Sequence, residues 1–404
     1  PATTLADHCY SSMFSGCTGL ITAPVLPATT LAGSCYDGMF YNCSNLNYIK
    51  CSATDISATN CTTDWVSGVS STGRFIKEMG MEWETGNSGI PEGWKVEEGV
   101  ITFTAEQENS TIELSKLSSY QTLEYKTDSS DWTNMDTSTT ITLNSVGDKV
   151  YIRGELINYN TDSKYTQFTM TGKIAARGNC NAIWNYNYLN TGLKAYCGFN
   201  MFNGCTSLTT APELPATTLA DHCYYSMFEG CTSLTTAPEL PATTLSDSCY
   251  GSMFSKCTSL TTTPELPATT LADSCYNNMF SGCTSLTTAP ELPATTLASS
   301  CYASMFKGCT SLTTAPDLPA TTLASYCYYG MFSGCSNLNY IKCLATDISA
   351  IDCTTNWVYG VAETGTFVKD IDVDWSTGIS GIPSGWTVEY GVVTFTAEQA
   401  GSTI

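Results

Sequence analysis

Cysteine is the residue type in this sequence with the greatest capacity for chemistry, since the chain has 21 cysteines among 404 residues. Thiols form disulfides, ligate soft metals and act as nucleophiles. A regular column of cysteines is typical of a small apolar side chain in an interior slot. We therefore expect free, buried, structural thiols, with a disulfide ladder or a metal array as the alternatives. Ten of the cysteines recur every 26 residues in two columns: Cys223, Cys249, Cys275, Cys301 and Cys327; and Cys231, Cys257, Cys283, Cys309 and Cys335.

Two pairs of cysteines outside these columns stand out. Cys51 with Cys61, and Cys343 with Cys353, recur as two matching pairs. A disulfide within a column would disturb its regularity, whereas a bond within either of these pairs would not. They are therefore the best candidates for disulfides in the sequence.

Other groups able to do chemistry are few. Histidine occurs twice, as His8 and His222, each directly before a column cysteine. Neighbours on a helix point apart, so a catalytic histidine–cysteine pair is not expected, and both histidines are interpreted as surface residues. The sequence has no phosphate loop, zinc spacing or nucleophile elbow. We predict a non-enzymatic protein that has no catalytic residue, metal or cofactor.

Alternating aspartates give the sequence a pattern that resembles calcium ligation. Asp370, Asp372 and Asp374 are spaced by two residues, and carboxylate oxygens are the ligands that Ca²⁺ prefers. An earlier copy of the same segment has glycine at the middle position, Gly80. Because one ligand is lost there, we expect a solvated acidic surface instead of a calcium site.

A repeat of 26 residues positions these side chains. The dipeptide Met-Phe recurs at 201, 227, 253, 279, 305 and 331, in a frame that from Met227 reads MFEGCTSLTTAPELPATTLSDSCYGS. The spacing of four between Cys249 and Met253 predicts one face of a short helix that is capped by Thr244. A glycine ends this helix in most repeats. A β-strand is expected near Leu260.

The core MF-x-GC-x-x-L at this period resembles the bacterial surface leucine-rich-repeat family called BspA-like. The last repeat shows the strand best, since Leu338, Ile341 and Cys343 match the Leu-x-x-Leu-x-Leu spacing. The resemblance covers Cys197 to about Cys353 and Ala2 to about Cys61. It implies a parallel-strand solenoid, an extracellular setting and no catalytic residue.

A larger repeat contains the smaller one. The text from Asn45 returns from Asn337, an offset of 292 residues without a gap. Residues 100–176 hold six or seven short alternating runs, which are typical of an immunoglobulin-like sandwich. The expected fold class is therefore an α/β repeat solenoid that alternates with an all-β sandwich. The expected domains are the end of a solenoid (1–62), its cap (63–99), the sandwich (100–176), a capped solenoid (177–354), and a second cap with the first strands of another sandwich (355–404).

Charge and hydropathy limit the partners. The net charge is −21, which argues against nucleic acid or an anionic membrane as a partner. No apolar run reaches the roughly 18 residues of a membrane helix. The partners that we expect are further copies of the module, in tandem or end to end in a filament. In the alternative, the partner is a host glycan or surface protein.

Variation between repeats collects on the outer face of the predicted solenoid. This face is interpreted either as a tolerant solvated surface or as a recognition surface with aromatic contacts. The near-identity of the repeats favours an extracellular fibre or adhesin stalk, on a bacterial cell or a phage particle. The alternative is a glycan- or protein-binding surface module that uses the variable face. The candidate contact residues are Tyr225, Tyr326, Tyr329, Glu229 and Lys307.

Two further expectations concern shape and extent. Strands stack about 4.8 Å apart, whereas packed helices need 8–10 Å, so the solenoid should curve with its Thr-Thr-Ala-Pro side concave. The sequence begins inside a repeat and ends among the opening strands of a second sandwich. We therefore expect it to be a segment of a longer tandem polymer.

Overall fold

The computed structural model describes residues 2–78, 81–158, 160–185 and 193–391. Within these ranges the fold is dominated by strands, and it holds a single short helix, α1 (Asn181–Asn185). The strands are β1 (Tyr48–Cys51), β2 (Arg74–Lys77), β3 (Lys95–Glu98), β4 (Ile101–Ala105), β5 (Ser110–Lys116), β6 (Gln121–Thr127), β7 (Thr133–Met135), β8 (Thr140–Leu143), β9 (Lys149–Leu156), β10 (Gln167–Thr171), β11 (Ile174–Arg177), β12 (Leu208–Thr210), β13 (Tyr340–Cys343), β14 (Thr366–Lys369) and β15 (Thr387–Tyr390).

The helices predicted within the repeats are absent from the described residues, so that part of the sequence prediction is wrong. Each repeat instead carries consecutive four-residue turns, in which Cys223 donates to the carbonyl of Ala220 at 3.2 Å and Met227 to that of Tyr224 at 3.2 Å. A left-handed residue at every fourth position prevents the chain from continuing as an α-helix. These positions have φ of 55° at His222, 50° at Ser226 and 73° at Gly230.

The spacing of four therefore comes from the turns and not from a helical face. Gly230 and Gly282 do not stop a helix. They occupy the last left-handed position of each turn series, which Lys256 also adopts with φ of 61°. Thr244 does not cap a helix either, because its backbone forms parallel bridges to Thr218 and Thr270 in the flanking repeats.

Backbone hydrogen bonds along the turns join each repeat to the next. The bonds have lengths of 2.7–3.1 Å, and every second residue donates one. The turn side therefore stacks as closely as a β-ladder, and the curvature expected from packed helices has no basis in this arrangement. The bonds from one repeat run from His222 to Asp247, Tyr224 to Cys249, Ser226 to Gly251, Phe228 to Met253 and Gly230 to Ser255.

The opposite side of the repeats is less regular. A continuous strand near Leu260 is not formed, and the interior repeats are joined there by isolated bridges such as Thr236 to Thr262. Proline lacks the N–H that a ladder needs, and Pro264 and Pro267 follow within a few residues. The last repeat has a different sequence at this point, and the strand predicted there is confirmed as β13.

Aromatic ladders fill the interior of the repeats. Tyr224, Tyr250, Tyr276, Tyr302 and Tyr328 stack with neighbouring ring centroids 5.7–6.2 Å apart. A second ladder has spacings of 5.3–5.9 Å, and both ladders end on Trp357, which stacks on Trp375 of the cap at 5.5 Å. The second ladder consists of Phe168, Phe202, Phe228, Phe254, Phe280, Phe306 and Phe332.

Residues 100–185, here called the sheet unit, contain two antiparallel sheets. One has the order β10-β5-β8, and the other contains β11-β4-β9-β6-β7. Alternate residues of β4 and β5 are buried, as expected for strands that cover a core on one face. Buried residues of both sheets belong to the same hydrophobic cluster.

The sheet unit is continuous with the repeats that follow it, here called the second stack (193–354). Strand β12 of the second stack pairs in parallel with β11, with Ile174 opposite Leu208. Phe168 of β10 donates its N–H to Met201 at 2.8 Å and stacks on Phe202. One hydrophobic cluster therefore extends from Ile101 to Trp386.

The repeats of residues 2–62, here called the first stack, share a separate hydrophobic cluster with their cap, from Ala23 to Trp94. The parallel sheet β1-β2-β3 ends this stack, and the sheet unit covers it. A small apolar cluster of Tyr48, Ile76 and Ala182 lies at the contact. Ion pairs surround this contact: Arg74 and Lys95 bind Glu97, Lys95 also binds Glu213 of the second stack, and Asn179 donates to Glu97 at 3.1 Å.

Candidate functional site

The cysteine columns lie inside the second stack. All ten column thiols are buried, with exposures of 0%. The Sγ atom of Cys257 donates to the carbonyl oxygen of Phe228, in the preceding repeat, at 3.1 Å. Each of the other cysteines of this column donates in the same way to the equivalent phenylalanine carbonyl of its own preceding repeat, at 3.0–3.1 Å; these are Cys231, Cys283, Cys309 and Cys335. This column therefore fills a slot and gives a second hydrogen bond to a phenylalanine carbonyl that already accepts a backbone N–H.

All 21 cysteines are free thiols in the structure. This includes the two pairs proposed as disulfides, in which Cys61 donates to the Ile56 carbonyl at 3.2 Å and Cys353 to the Ile348 carbonyl at 3.3 Å. Burial raises the pKa of the Cys257, Cys275 and Cys335 thiols to about 12. Because a thiolate is the reactive form, these thiols are poor nucleophiles and poor metal ligands.

His222 and the alternating aspartates are the remaining residues that the sequence pointed to as able to do chemistry. His222 is half-buried and stacks on Tyr196 with ring centroids 4.7 Å apart, so its interpretation as a simple surface residue is wrong. The backbone N–H of Asp372 donates to the Asp370 carboxylate at 2.9 Å, which forms a local turn. Across the described ranges, no three His, Cys, Asp or Glu side chains cluster as a metal site would require.

The predicted contact residues separate into two groups along the turn side. Tyr225 and Glu229 lie at the start of the second stack. The Tyr225 ring stacks on Phe199 at 5.5 Å and lies over Gly251, where a Cβ atom would approach the ring to 2.7 Å. Glu229 is held by Lys256 at 2.8 Å and by the Ser226 hydroxyl at 3.0 Å. These side chains are occupied by contacts within the stack.

The second group lines a groove at the far end of the stack. Lys307 and Tyr329 share a cavity of about 270 Å³ with Tyr359 and Ile379. Tyr359 is 59% exposed, Ile379 50% and Tyr329 39%. Tyr326 lies beside Tyr329 with ring centroids 6.1 Å apart. Together with Ile351, which is 66% exposed, these residues form what we call the apolar patch.

A comparison of the two copies at the 292-residue offset distinguishes the apolar patch from the rest of the surface. The five large apolar residues of the patch replace small or polar residues in the first copy. Sequence reasoning found Tyr326, Tyr329 and Lys307 but missed the other three, which lie in the cap and in the last turn. The signal that finds them is the comparison between copies instead of between repeats. The replacements are Ser34 by Tyr326, Asp37 by Tyr329, Thr59 by Ile351, Ser67 by Tyr359 and Asn87 by Ile379.

The environment of Tyr326 adds a polar element to this patch. Its hydroxyl hydrogen-bonds to the Asp352 carboxylate, which raises the pKa of Tyr326. Aromatic rings with a polar tip, next to a lysine and apolar side chains, are the residue types enriched at recognition surfaces. The patch therefore consists of residue types that are frequent at binding surfaces.

Comparison with protein-family models gives a match over the second stack. A model of the BspA type leucine-rich repeat region, in six copies, matches residues 178–309 and 265–353. Residues 178–353 are BspA-type leucine-rich repeats. Comparisons with curated proteins and with solved structures found no match.

The BspA-type region includes the cysteine columns, Lys307, Tyr326 and Tyr329, whereas Tyr359 and Ile379 lie in the cap that follows it. The groove is thus formed where the repeats meet their cap. The described part of the chain has no helix with the length and apolar character to cross a membrane.

Proposed function

We propose that this protein is a non-catalytic, extracellular fibre or adhesin stalk, built from tandem modules of 292 residues in which a BspA-type solenoid alternates with an immunoglobulin-like sandwich. The observation that carries the proposal is the single hydrophobic cluster from Ile101 to Trp386. The sheet unit starts the second stack, and Trp357 with its cap ends it. A stack that must bear load along its axis gains from such continuity, because each repeat contacts only its neighbours.

Packing between successive modules supports the same proposal. The sheet unit covers the end of the first stack, where Tyr48 is 1% and Glu97 is 8% exposed. Their counterparts at the end of the second stack are less covered, since Tyr340 is half-buried and Glu389 exposed. A sheet unit like the one at residues 100–185 would cover Tyr340 and Glu389 in the same way that Tyr48 and Glu97 are covered.

Electron microscopy of chains with one, two and three copies of the 292-residue module tests the stalk proposal. We expect rods whose length grows by the same increment with each added module, because each sheet unit docks on the stack before it. Compact particles whose long axis does not grow with module number would contradict the proposal. Imaging of native material from the cell surface provides the corresponding test in the organism.

Recognition of a host glycan or surface protein is the second candidate function. The apolar patch favours it, because contiguous exposed apolar surface marks interaction sites. The first copy has small or polar residues at these five positions. Modules of one stalk would then differ in what they bind while they share one architecture.

Variants that exchange patch residues for those of the first copy test this second function. We expect Tyr329→Asp with Tyr359→Ser to lower adhesion to host cells, or binding on glycan arrays, by about tenfold or more, since truncation of aromatic contacts typically costs more than 1 kcal/mol each. The matched control is Tyr41→Ser, which removes a 42% exposed tyrosine of the first copy. Equal binding by both variants would contradict a recognition role for the patch.

A further inference from the structure

The groove between the last repeats and the cap of the second stack has a polar side as well as an apolar one. Its cavity of about 270 Å³ is walled by the large side chains of Tyr329, Tyr359 and Ile379. Four polar side chains line it as well, and these are Ser304, Lys307, Ser333 and Asn356. Sites for small ligands combine an apolar wall with a few polar groups that fix the orientation of the ligand. The groove therefore has the composition of such a site.

The polar side chains of this groove are not used within the fold. Lys307 is exposed, and none of the ion pairs within the described ranges includes it. Within the same ranges, the hydroxyls of Ser304 and Ser333 and the amide of Asn356 make no side-chain hydrogen bond. One ammonium, two hydroxyls and one amide therefore surround the exposed rings with their hydrogen-bonding capacity available to a ligand.

The groove of the second copy is more positive than the same positions of the first copy. Among the lining residues, Tyr329 replaces Asp37, Asn356 replaces Asp64 and Lys307 replaces Ser15. Two carboxylates are thus lost and one ammonium is gained. Asp352 replaces Asn60 nearby, but it binds the hydroxyls of Thr355 and Tyr326 and does not line the groove. In a protein of net charge −21, this local gain of positive charge favours an anionic ligand.

The backbone around the groove favours a sugar over an extended peptide. A peptide that binds as an added strand needs free N–H and carbonyl groups at an edge. Here the N–H of Ser304 donates to the Tyr329 carbonyl at 2.7 Å, and that of Gly330 donates to the Thr355 carbonyl at 2.9 Å. The groups that stay available are hydroxyls, an amide and the faces of aromatic rings. These match the hydroxyls and the apolar C–H face of a sugar ring.

We propose that this groove binds a sugar ring that carries a carboxylate, such as a uronic acid residue of a glycan. The Lys307 ammonium would pair with the carboxylate in a charge-assisted contact. The rings of Tyr329 and Tyr359 would pack against the C–H face, and the serine and asparagine side chains would bind the hydroxyls. The cavity has room for one ring and a few waters, each of which occupies about 30 Å³.

This proposal rests on the recognition function proposed for the apolar patch, and it names the chemical class of the ligand. Titrations of the whole chain, followed by saturation-transfer NMR, test it with methyl β-glucuronide and with methyl β-glucoside. The two sugars share one ring and differ in the carboxylate. We expect the glucuronide to bind about tenfold more tightly, as one charge-assisted contact would give. Because Lys307 is exposed, added sodium chloride should reduce this difference.

Three results of these titrations would overturn the proposal. The first is equal binding of the two sugars, and the second is no binding of the glucuronide. The third comes from an acidic dipeptide that contains glutamate and has the same net charge. Equal binding of this dipeptide would show that the groove recognises the charge without the sugar ring.

Matched lysine variants locate the site. Lys307→Met keeps the aliphatic stem and should remove the preference for the glucuronide. Lys342→Met, at a lysine that is paired with Asp317 on another surface, should leave the preference unchanged. Loss of the preference in both variants, or in neither, would overturn the assignment to this groove. Suppose that Tyr329→Asp with Tyr359→Ser lowers adhesion to host cells while the native chain has no preference for the glucuronide. The patch then has its recognition function, and only its assignment to an acidic sugar is wrong.

Discussion

Raising the pH from about 8 to 10 is expected to unfold the second stack. Nineteen of the 21 cysteines are buried, and burial raises the thiol pKa from its ordinary value of 9.0 to about 12 for residues such as Cys205, Cys257 and Cys343. The unfolded chain therefore releases these protons at a lower pH than the folded chain does. Stability is complete below pH 9 and is lost as the pH rises from 9 toward 12.

The size of this effect follows from the number of thiols. For each buried thiol, the free energy of unfolding falls by about 1.4 kcal/mol for every pH unit above the pKa that the thiol has in the unfolded chain. Ten of them would remove roughly 14 kcal/mol at pH 10, which equals the entire stability of a typical domain. Burial also raises the pKa of Tyr224, Tyr250 and Tyr276, and these tyrosines act in the same direction above pH 10.

Urea unfolding under anaerobic conditions, at a series of pH values, measures the effect. The dependence of the unfolding free energy on pH should become steeper with each buried thiol, so Cys257→Ala should reduce the slope by the contribution of one proton. Cys257→Ala should also cost about 1 kcal/mol at neutral pH, since it leaves a small gap and removes the second hydrogen bond to the Phe228 carbonyl, which keeps the one from the Cys231 N–H. Removal of the exposed Cys17 is the control. A stability that stays constant up to pH 11 would contradict this account.

Phe202→Ala is expected to destabilise the sheet unit and the second stack together, by about 3–5 kcal/mol. Phe202 is fully buried and lies between Phe168 of the sheet unit and Phe228 of the stack, at ring separations of 5.3 and 5.6 Å. The two parts share one hydrophobic cluster and one sheet. Calorimetry should therefore show a single transition for both, and the substitution should lower its temperature.

The first stack provides the matched control for this prediction. Phe40 is also fully buried, stacks on Phe14 at 5.7 Å and belongs to the separate cluster of the first stack. Phe40→Ala should lower the transition of the first stack and leave the other unchanged. Three independent transitions, or a Phe202→Ala variant that affects the sheet unit and the second stack separately, would show that the shared core does not couple them.

Repetition made much of the fold predictable. The 26-residue period, the two cysteine columns and the 292-residue offset follow directly from Met227, Cys231 and their equivalents, and they predicted burial, stacking and matching copies. The strand at Tyr340–Cys343 was also predictable, because the last repeat has hydrophobic spacing without the prolines of the interior repeats. The strands of residues 100–176 were found from their alternation, which has a period of two in any sheet.

The helices were predicted wrongly because the nine residues from Cys223 to Cys231 are too few to separate a period of 4.0 from one of 3.6. Cys223, Met227 and Cys231 are spaced by four in both cases. The sequence held a weak contrary signal, since positions equivalent to Ser226 are always serine, asparagine or glycine, and asparagine and glycine in particular tolerate positive φ. That signal is readable only when the left-handed positions are already known.

The sequence by itself determined the repeat, its buried columns and its tandem copies. Each of these depends on local spacing, and the same residues recur at that spacing in repeat after repeat. Tertiary structure decided how unlike parts meet. A cavity between the first stack and the sheet unit brings Lys50 and Arg153 together from positions about one hundred residues apart, and the apolar patch joins Tyr329 of a repeat to Ile379 of the cap. Neither contact repeats along the chain, so no periodic pattern records it, and only the packing of one unit on the next creates it.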